Sequence, residues 1–139
     1  MTFDISTLSA DETFDVEIMD PRTGEPLIGD DNKPCSVTVF GPGTKPFAAA
    51  RSRASNRSIK RLRSKGKIET TPEEDAASAA SFLTEITKSF NNFGYKGMPN
   101  GPEAFRALYL DPTLGFITDQ VNTGAGDWSN FTQGSSKNS

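Results

Sequence analysis

Nine basic side chains fall within residues 45–67: Lys45, Arg51, Arg53, Arg57, Lys60, Arg61, Arg63, Lys65 and Lys67, with no acid among them. Positive charge at this density can neutralise phosphates along a nucleic acid or meet carboxylates on a protein. Nucleic-acid binding by single strands also calls for aromatic rings on which bases stack, and none follows Phe47 within the block. The preferred reading is therefore protein contact, with Arg57, Lys60, Arg61 and Arg63 as candidates to meet acidic surface on a partner protein or on a neighbouring copy. Nucleic-acid binding by the 45–67 segment is kept as an alternative.

Other chemistries are poorly supplied. The chain has no histidine and a single cysteine, Cys35, so Ser/His and Cys/His nucleophile pairs, imidazole metal ligands, an intramolecular disulfide and a thiolate zinc cluster are excluded. Cys35 follows Pro34 and opens an alternating apolar run, which reads as a small buried hydrophobe. The acids Asp30-Asp31 sit in a turn, and Glu73-Glu74-Asp75 sit where a helix first turn favours negative charge, so both have local explanations. Gly41-Pro-Gly-Thr-Lys45 lacks the length and the Gly-Lys-Ser/Thr ending of a phosphate loop, and Pro42 removes an N–H donor. No catalytic, cofactor-binding or metal-binding residue is assigned, and no enzyme activity is expected.

The scaffold holding the basic block must be small. At 139 residues, 34% hydrophobic, with a mean hydropathy of -0.52, the chain is expected to form one domain with a thin core. Charge is strongly segregated. Residues 1–44 hold nine acids against Arg22 and Lys33, a net of -7; residues 45–67 carry +9; residues 68–139 hold nine acids against four bases, a net of -5. These sum to the overall -3. Residues 1–10 lack a basic n-region and the apolar runs are short, so neither a signal peptide nor a membrane span is expected, and an intracellular soluble protein is.

The acidic first block reads as strand. Phe14, Val16 and Ile18 alternate with acids, the turn residues 20–26 follow, and Leu27-Ile28 resumes an apolar run, which predicts a hairpin. Cys35, Val37 and Val39 alternate in a further strand that Gly41-Pro-Gly43 stops. From Pro46 the signals are helical. Phe47 to Arg63 is rich in Ala, Arg and Lys, with a weak stripe of Phe47, Ala50, Ala54, Ile59 and Leu62, ending near Lys65-Gly66-Lys67. Thr71-Pro72-Glu73-Glu74 opens a helix whose apolar face, Ala76, Ala79 or Ala80, Leu83, Ile86 or Thr87 and Phe90, runs through Asn92. Pro102 to Leu110 is a third helix, and Asp111 caps a fourth from Pro112 to about Asn122.

The expected class is α+β: a small N-terminal antiparallel hairpin or sheet packed on three to four helices. Residues 1–131 form the domain, with 1–44 rich in strand and 45–131 helical, and 132–139 form a flexible tail. Faces around Leu83, Ile86, Phe90, Phe105 and Tyr109 are assigned to core or subunit contacts. Trp128 and Phe131, after a glycine-rich break, either dock back onto the domain or face a partner.

The order of these elements carries a resemblance. The acidic strand start, the Arg/Lys-rich helix, Phe82-Leu-Thr-Glu-Ile-Thr-Lys-Ser-Phe90, Pro102-Glu-Ala-Phe-Arg-Ala-Leu-Tyr109, Asp111-Pro-Thr-Leu-Gly-Phe-Ile-Thr-Asp-Gln-Val121 and Gly126-Asp-Trp-Ser-Asn-Phe131 together resemble the tail assembly chaperones of long-tailed bacteriophages. The likeness covers about residues 14–131 and is strongest in the last third. Ala104 departs from the polar residue expected there, and Asn91-Asn92-Phe93-Gly94 lacks the Trp often found before the Gly-rich loop. The resemblance implies a non-enzymatic protein of the host cell cytoplasm that coats the tape measure protein, helps recruit tail tube protein and is absent from the mature virion. A longer frameshifted form is common in that family. Self-association into rings or filaments is expected from the charge pattern. The rival readings are a tail or head-tail structural protein retained in the virion, and the nucleic-acid-binding protein already named.

Overall fold

A computed structural model describes residues 2–66 and 70–132. Lys67, expected at a helix end, and residues 133–139 of the expected tail lie outside the described residues. The fold is α+β, with a three-stranded antiparallel sheet in the order β1-β2-β3: β1 Thr13–Glu17, β2 Ser36–Phe40 and β3 Thr87–Asn91. The helices are α1 Lys45–Lys65, α2 Pro72–Ile86, α3 Pro102–Tyr109, α4 Gly115–Ala125 and a four-residue turn, α5 Trp128–Phe131.

Alternation puts Phe14, Val16, Val37 and Val39 on one face of β1 and β2, where Phe14 pairs with Val39 and Val16 with Val37. That face meets Ala80, Leu83 and Ile86 of α2, Phe105 and Leu108 of α3, and Ile117, Val121 and Ala125 of α4 in one buried cluster. The opposite face is polar. Asn91 Nδ2 donates to Ser36 Oγ at 3.0 Å and to Thr38 Oγ1 at 2.8 Å, and Thr38 Oγ1 donates to Asp15 at 2.5 Å.

Two expectations about the strands are corrected. The 20–26 turn forms, with Asp20 N–H on Glu25 O at 2.8 Å, and closes a short antiparallel bridge of Met19 with Pro26, so a hairpin is present just past β1; but Leu27-Ile28 does not become the partner of β1 itself. β2 takes that place, and Leu27 is held instead by single backbone bonds to Ile18 and Cys35, each 2.8 Å. The helix expected through Asn92 ends at Ile86, and residues 87–91 are β3, so a strand lies within the part read as helical. The cause is a bulge. Val39 pairs with Thr87 but Thr38 pairs with Ser89, so Lys88 is an extra residue and both Thr87 and Phe90 turn to the core. Their spacing of three imitates helical periodicity.

Two side-chain amides pair with the backbone beside the sheet, one just past the end of β1 and one on the outer edge of β3. Gln120 of α4 accepts Met19 N–H at 2.7 Å and donates to Met19 O at 2.9 Å. Asn100 does the same to Phe90 of β3, accepting at 3.1 Å and donating at 2.8 Å. Each amide mimics the pairing a further strand would offer to that residue.

Candidate functional site

The basic block forms α1. Thr44 caps it by accepting Phe47 N–H at 3.3 Å, Pro46 stands in its first turn, and Gly66 ends it in the left-handed conformation at φ 72°. Only its start reaches the core: Phe47 and Ala50 are buried, and the Phe47 ring meets Phe82 of α2 edge-on at 5.4 Å. Beyond Ala54 the contact with α2 becomes polar. Ile59 and Leu62, which the sequence placed on the inward stripe, are 48% and 43% exposed. Their side of α1 is the outer one because three arginines occupy the inner one.

Arg53, Arg57 and Arg61 recur every four residues and so share a helix face. At one end Arg53 Nε donates to Glu85 Oε1 at 3.0 Å, and at the other Arg61 Nη2 donates to Ser78 Oγ at 3.0 Å. Between them Arg57 is half-buried, and its Nε and Nη2 are shielded from solvent without a hydrogen-bond partner among the described residues. Arg57, Lys60, Arg61 and Ser64 line one side of a groove of about 400 Å³ whose other side is Glu74, Ala77 and Ser78 of α2. Glu74 is engaged in the capping box of α2: it accepts Thr71 N–H at 3.2 Å while Thr71 Oγ1 accepts Glu74 N–H at 3.1 Å. An unpaired guanidinium edge in a basic groove is a receiver for a carboxylate, which Nε and Nη2 can hold in a two-point fork.

The structure brings together Arg57, Lys60 and Arg61 from the candidate residues. Arg63 is exposed and does not line the groove. Phe105, Tyr109 and Phe131 are corrected as partner contacts, since they are 3%, 5% and 0% exposed. Phe105 and Tyr109, four apart, turn with Leu108 onto the sheet, where Phe105 meets Phe90 at 4.6 Å. The Tyr109 hydroxyl lies 2.7 Å from Thr87 Oγ1, and burial pushes its pKa up to about 12. Phe131 fits against Gly41 and meets Phe14 edge-on at 5.8 Å. Trp128 alone of the four aromatic candidates is exposed, at 55%. Sequence reasoning missed Ser64 and Ser78 as groove residues; the four-residue Arg spacing was the available sign that this face turns toward α2.

Among the described residues no group of three or more Cys, Asp or Glu is placed to hold a metal ion, and no helix is long and apolar enough to cross a membrane. Comparison with family models, curated proteins and solved structures finds no match for this chain.

Proposed function

We propose that this protein is a tail assembly chaperone of a long-tailed bacteriophage, which binds the tape measure protein and helps recruit tail tube subunits without catalysing a reaction. The reading places it in the host cell cytoplasm and outside the mature virion. The observation that carries the binding step is Arg57, whose unpaired guanidinium edge lies in the α1–α2 groove beside Lys60 and Arg61. A carboxylate of the client entering the groove would make charge-assisted bonds worth about 1.5–3 kcal/mol each against the cost of leaving the guanidinium unpaired. Such contacts are individually modest and weakened by salt, which suits a client that must later be released to tube protein. The order of motifs in residues 14–131 is the support for naming the client.

The test is co-expression with the tape measure protein of such a phage, measuring the client's soluble fraction and its co-purification. The triple change Arg57→Glu, Lys60→Glu and Arg61→Glu is expected to lose both while circular dichroism stays as in wild type. Unchanged client solubility and co-purification would sink the proposal. Abundant copies in purified particles, found by mass spectrometry, would favour a structural tail protein. A salt-dependent complex with nucleic acid at low ionic strength would favour the third reading.

A further inference from the structure

A second groove, of about 530 Å³, runs between α2 and the corner joining α3 to α4. Its floor includes Ala76, Ala79 and Gly115 with Leu110, which is 41% exposed. Among the described residues its charged lining is Glu73, Asp111 and Asp119, without a base. Thr118 also lines it, with a hydroxyl oxygen shielded from solvent and lacking a hydrogen-bond partner among the described residues. Asp111 accepts from Thr113 N–H, Thr113 Oγ1 and the Tyr95 hydroxyl at 3.0, 2.6 and 2.8 Å, which hold its carboxyl below the usual carboxylate range and keep it charged.

A narrow apolar trough with an acidic rim suits a basic helix carrying a few apolar side chains on one face. This chain contains such a helix. At about 100° per residue, Ile59, Leu62 and Ser55 of α1 lie opposite the Arg53, Arg57 and Arg61 face, flanked by Arg51 and Arg63, all of them exposed. On α2 the same geometry puts Glu73, Ala76 and Ala79 on the flank away from Ser78 and Glu85, which meet α1. The two surfaces therefore face away from one another on opposite sides of one helical hairpin and cannot meet within a single chain. The other exposed apolar segment, Phe3, Ile5 and Leu8, is a poor occupant because the acids beside it, Asp4, Asp11 and Glu12, match the sign of the rim.

We propose that the outer face of α1 in one copy docks in the α2–α3–α4 groove of a second copy, with Ile59 and Leu62 over Ala76, Ala79 and Leu110 and with Arg51 and Arg63 toward Glu73, Asp111 and Asp119. The contact is heterologous, so it propagates head to tail into rings or filaments. It stands apart from the client reading, and its test uses the purified chain alone.

Sedimentation and light scattering at low salt are expected to show concentration-dependent assembly that dissociates as salt rises. Ile59→Asp with Leu62→Asp removes the helix surface, and Ala76→Arg with Ala79→Arg fills the groove; all four positions are exposed, and circular dichroism checks the fold. Asp119→Lys serves as a second groove variant. Each variant alone is expected to be monomeric, and an equimolar mixture of helix and groove variants is expected to form a one-to-one pair and nothing larger, because one intact interface remains. A wild type that stays monomeric at low salt, either variant assembling like wild type, or a mixture that fails to pair overturns the proposal. Assembly lost in Phe3→Ser, Ile5→Ser, Leu8→Ser would assign the contact to the N-terminal segment and overturn it too.

Discussion

A methyl group at Gly41 would lie 2.4 Å from Cδ2 and 2.7 Å from Cε2 of Phe131. Carbon atoms in ordinary contact stand about 3.5–4.0 Å apart, so Gly41→Ala must push the Phe131 ring outward by about 1 Å or more. The ring has no slack, being fully buried and packed on Phe14. Overpacking of this kind costs about 1–3 kcal/mol, and removing the ring by Phe131→Ala costs about 3–5 kcal/mol. Both are large against a total of roughly 7–20 kcal/mol for a chain of this length. If the collision is the cause, the double variant should cost little more than Phe131→Ala alone, leaving a coupling of about 1–3 kcal/mol. Urea unfolding supplies the energies, and Trp128, the single tryptophan, reports locally because it sits on the same turn with its ring over Gly43. In Gly41→Ala the tryptophan transition should precede the loss of circular dichroism as α5 detaches first. Strict additivity of the two changes, or a Gly41→Ala cost below about 0.5 kcal/mol, would refute the packing argument.

Three further outcomes are expected. Thr71→Ala removes the hydroxyl half of the α2 capping box and should lower stability by about 0.5–2 kcal/mol, read as a shifted urea midpoint with unchanged slope. Tyr109 ionises near its ordinary 10.0 when unfolded but near about 12 when folded, so its contribution is whole below pH 10 and is lost as pH rises toward 12. Alkaline titration should thus remove up to about 2–3 kcal/mol, and Tyr109→Phe should abolish that step. Arg57→Met should be neutral or stabilising by up to about 1 kcal/mol, since it replaces shielded, unpaired nitrogens with an apolar side chain, yet should weaken client binding. A clear loss of thermal stability in that variant would show that Arg57 serves the fold.

Local signals in the chain located most elements. Thr71-Pro72-Glu73-Glu74 announced α2 because capping needs only neighbours. Asp111 also caps, but it caps a short 3-10 turn at Pro112–Leu114, so the helix expected from Pro112 begins only at Gly115, without a side-chain cap. Pairing was harder. Nothing local says that Val16 meets Val37 across the intervening turn, or that Lys88 bulges so that Thr87 and Phe90 both face inward. The charge block located α1, but not which arginines turn inward, because Ile59 and Leu62 look like core residues until the polar contacts of Arg53 and Arg61 settle the rotation of the helix. Aromatic residues in the last third were similarly ambiguous between core and surface: Phe131 has Gly41 to receive it, whereas the Trp128 side chain remains exposed.

Asn100, whose amide closes the edge of β3, is followed by Gly101. A glycine on the C-terminal side leaves the backbone nitrogen unobstructed for attack on the Asn side chain, the route by which asparagine ages into aspartate and isoaspartate. Conversion to a carboxylate would retain an acceptor for Phe90 N–H but set negative charge against the Phe90 carbonyl, which now receives the amide NH2. The residue that guards the edge is thus also a slow chemical timer: protein held in storage would come to expose a strand edge that fresh protein keeps covered.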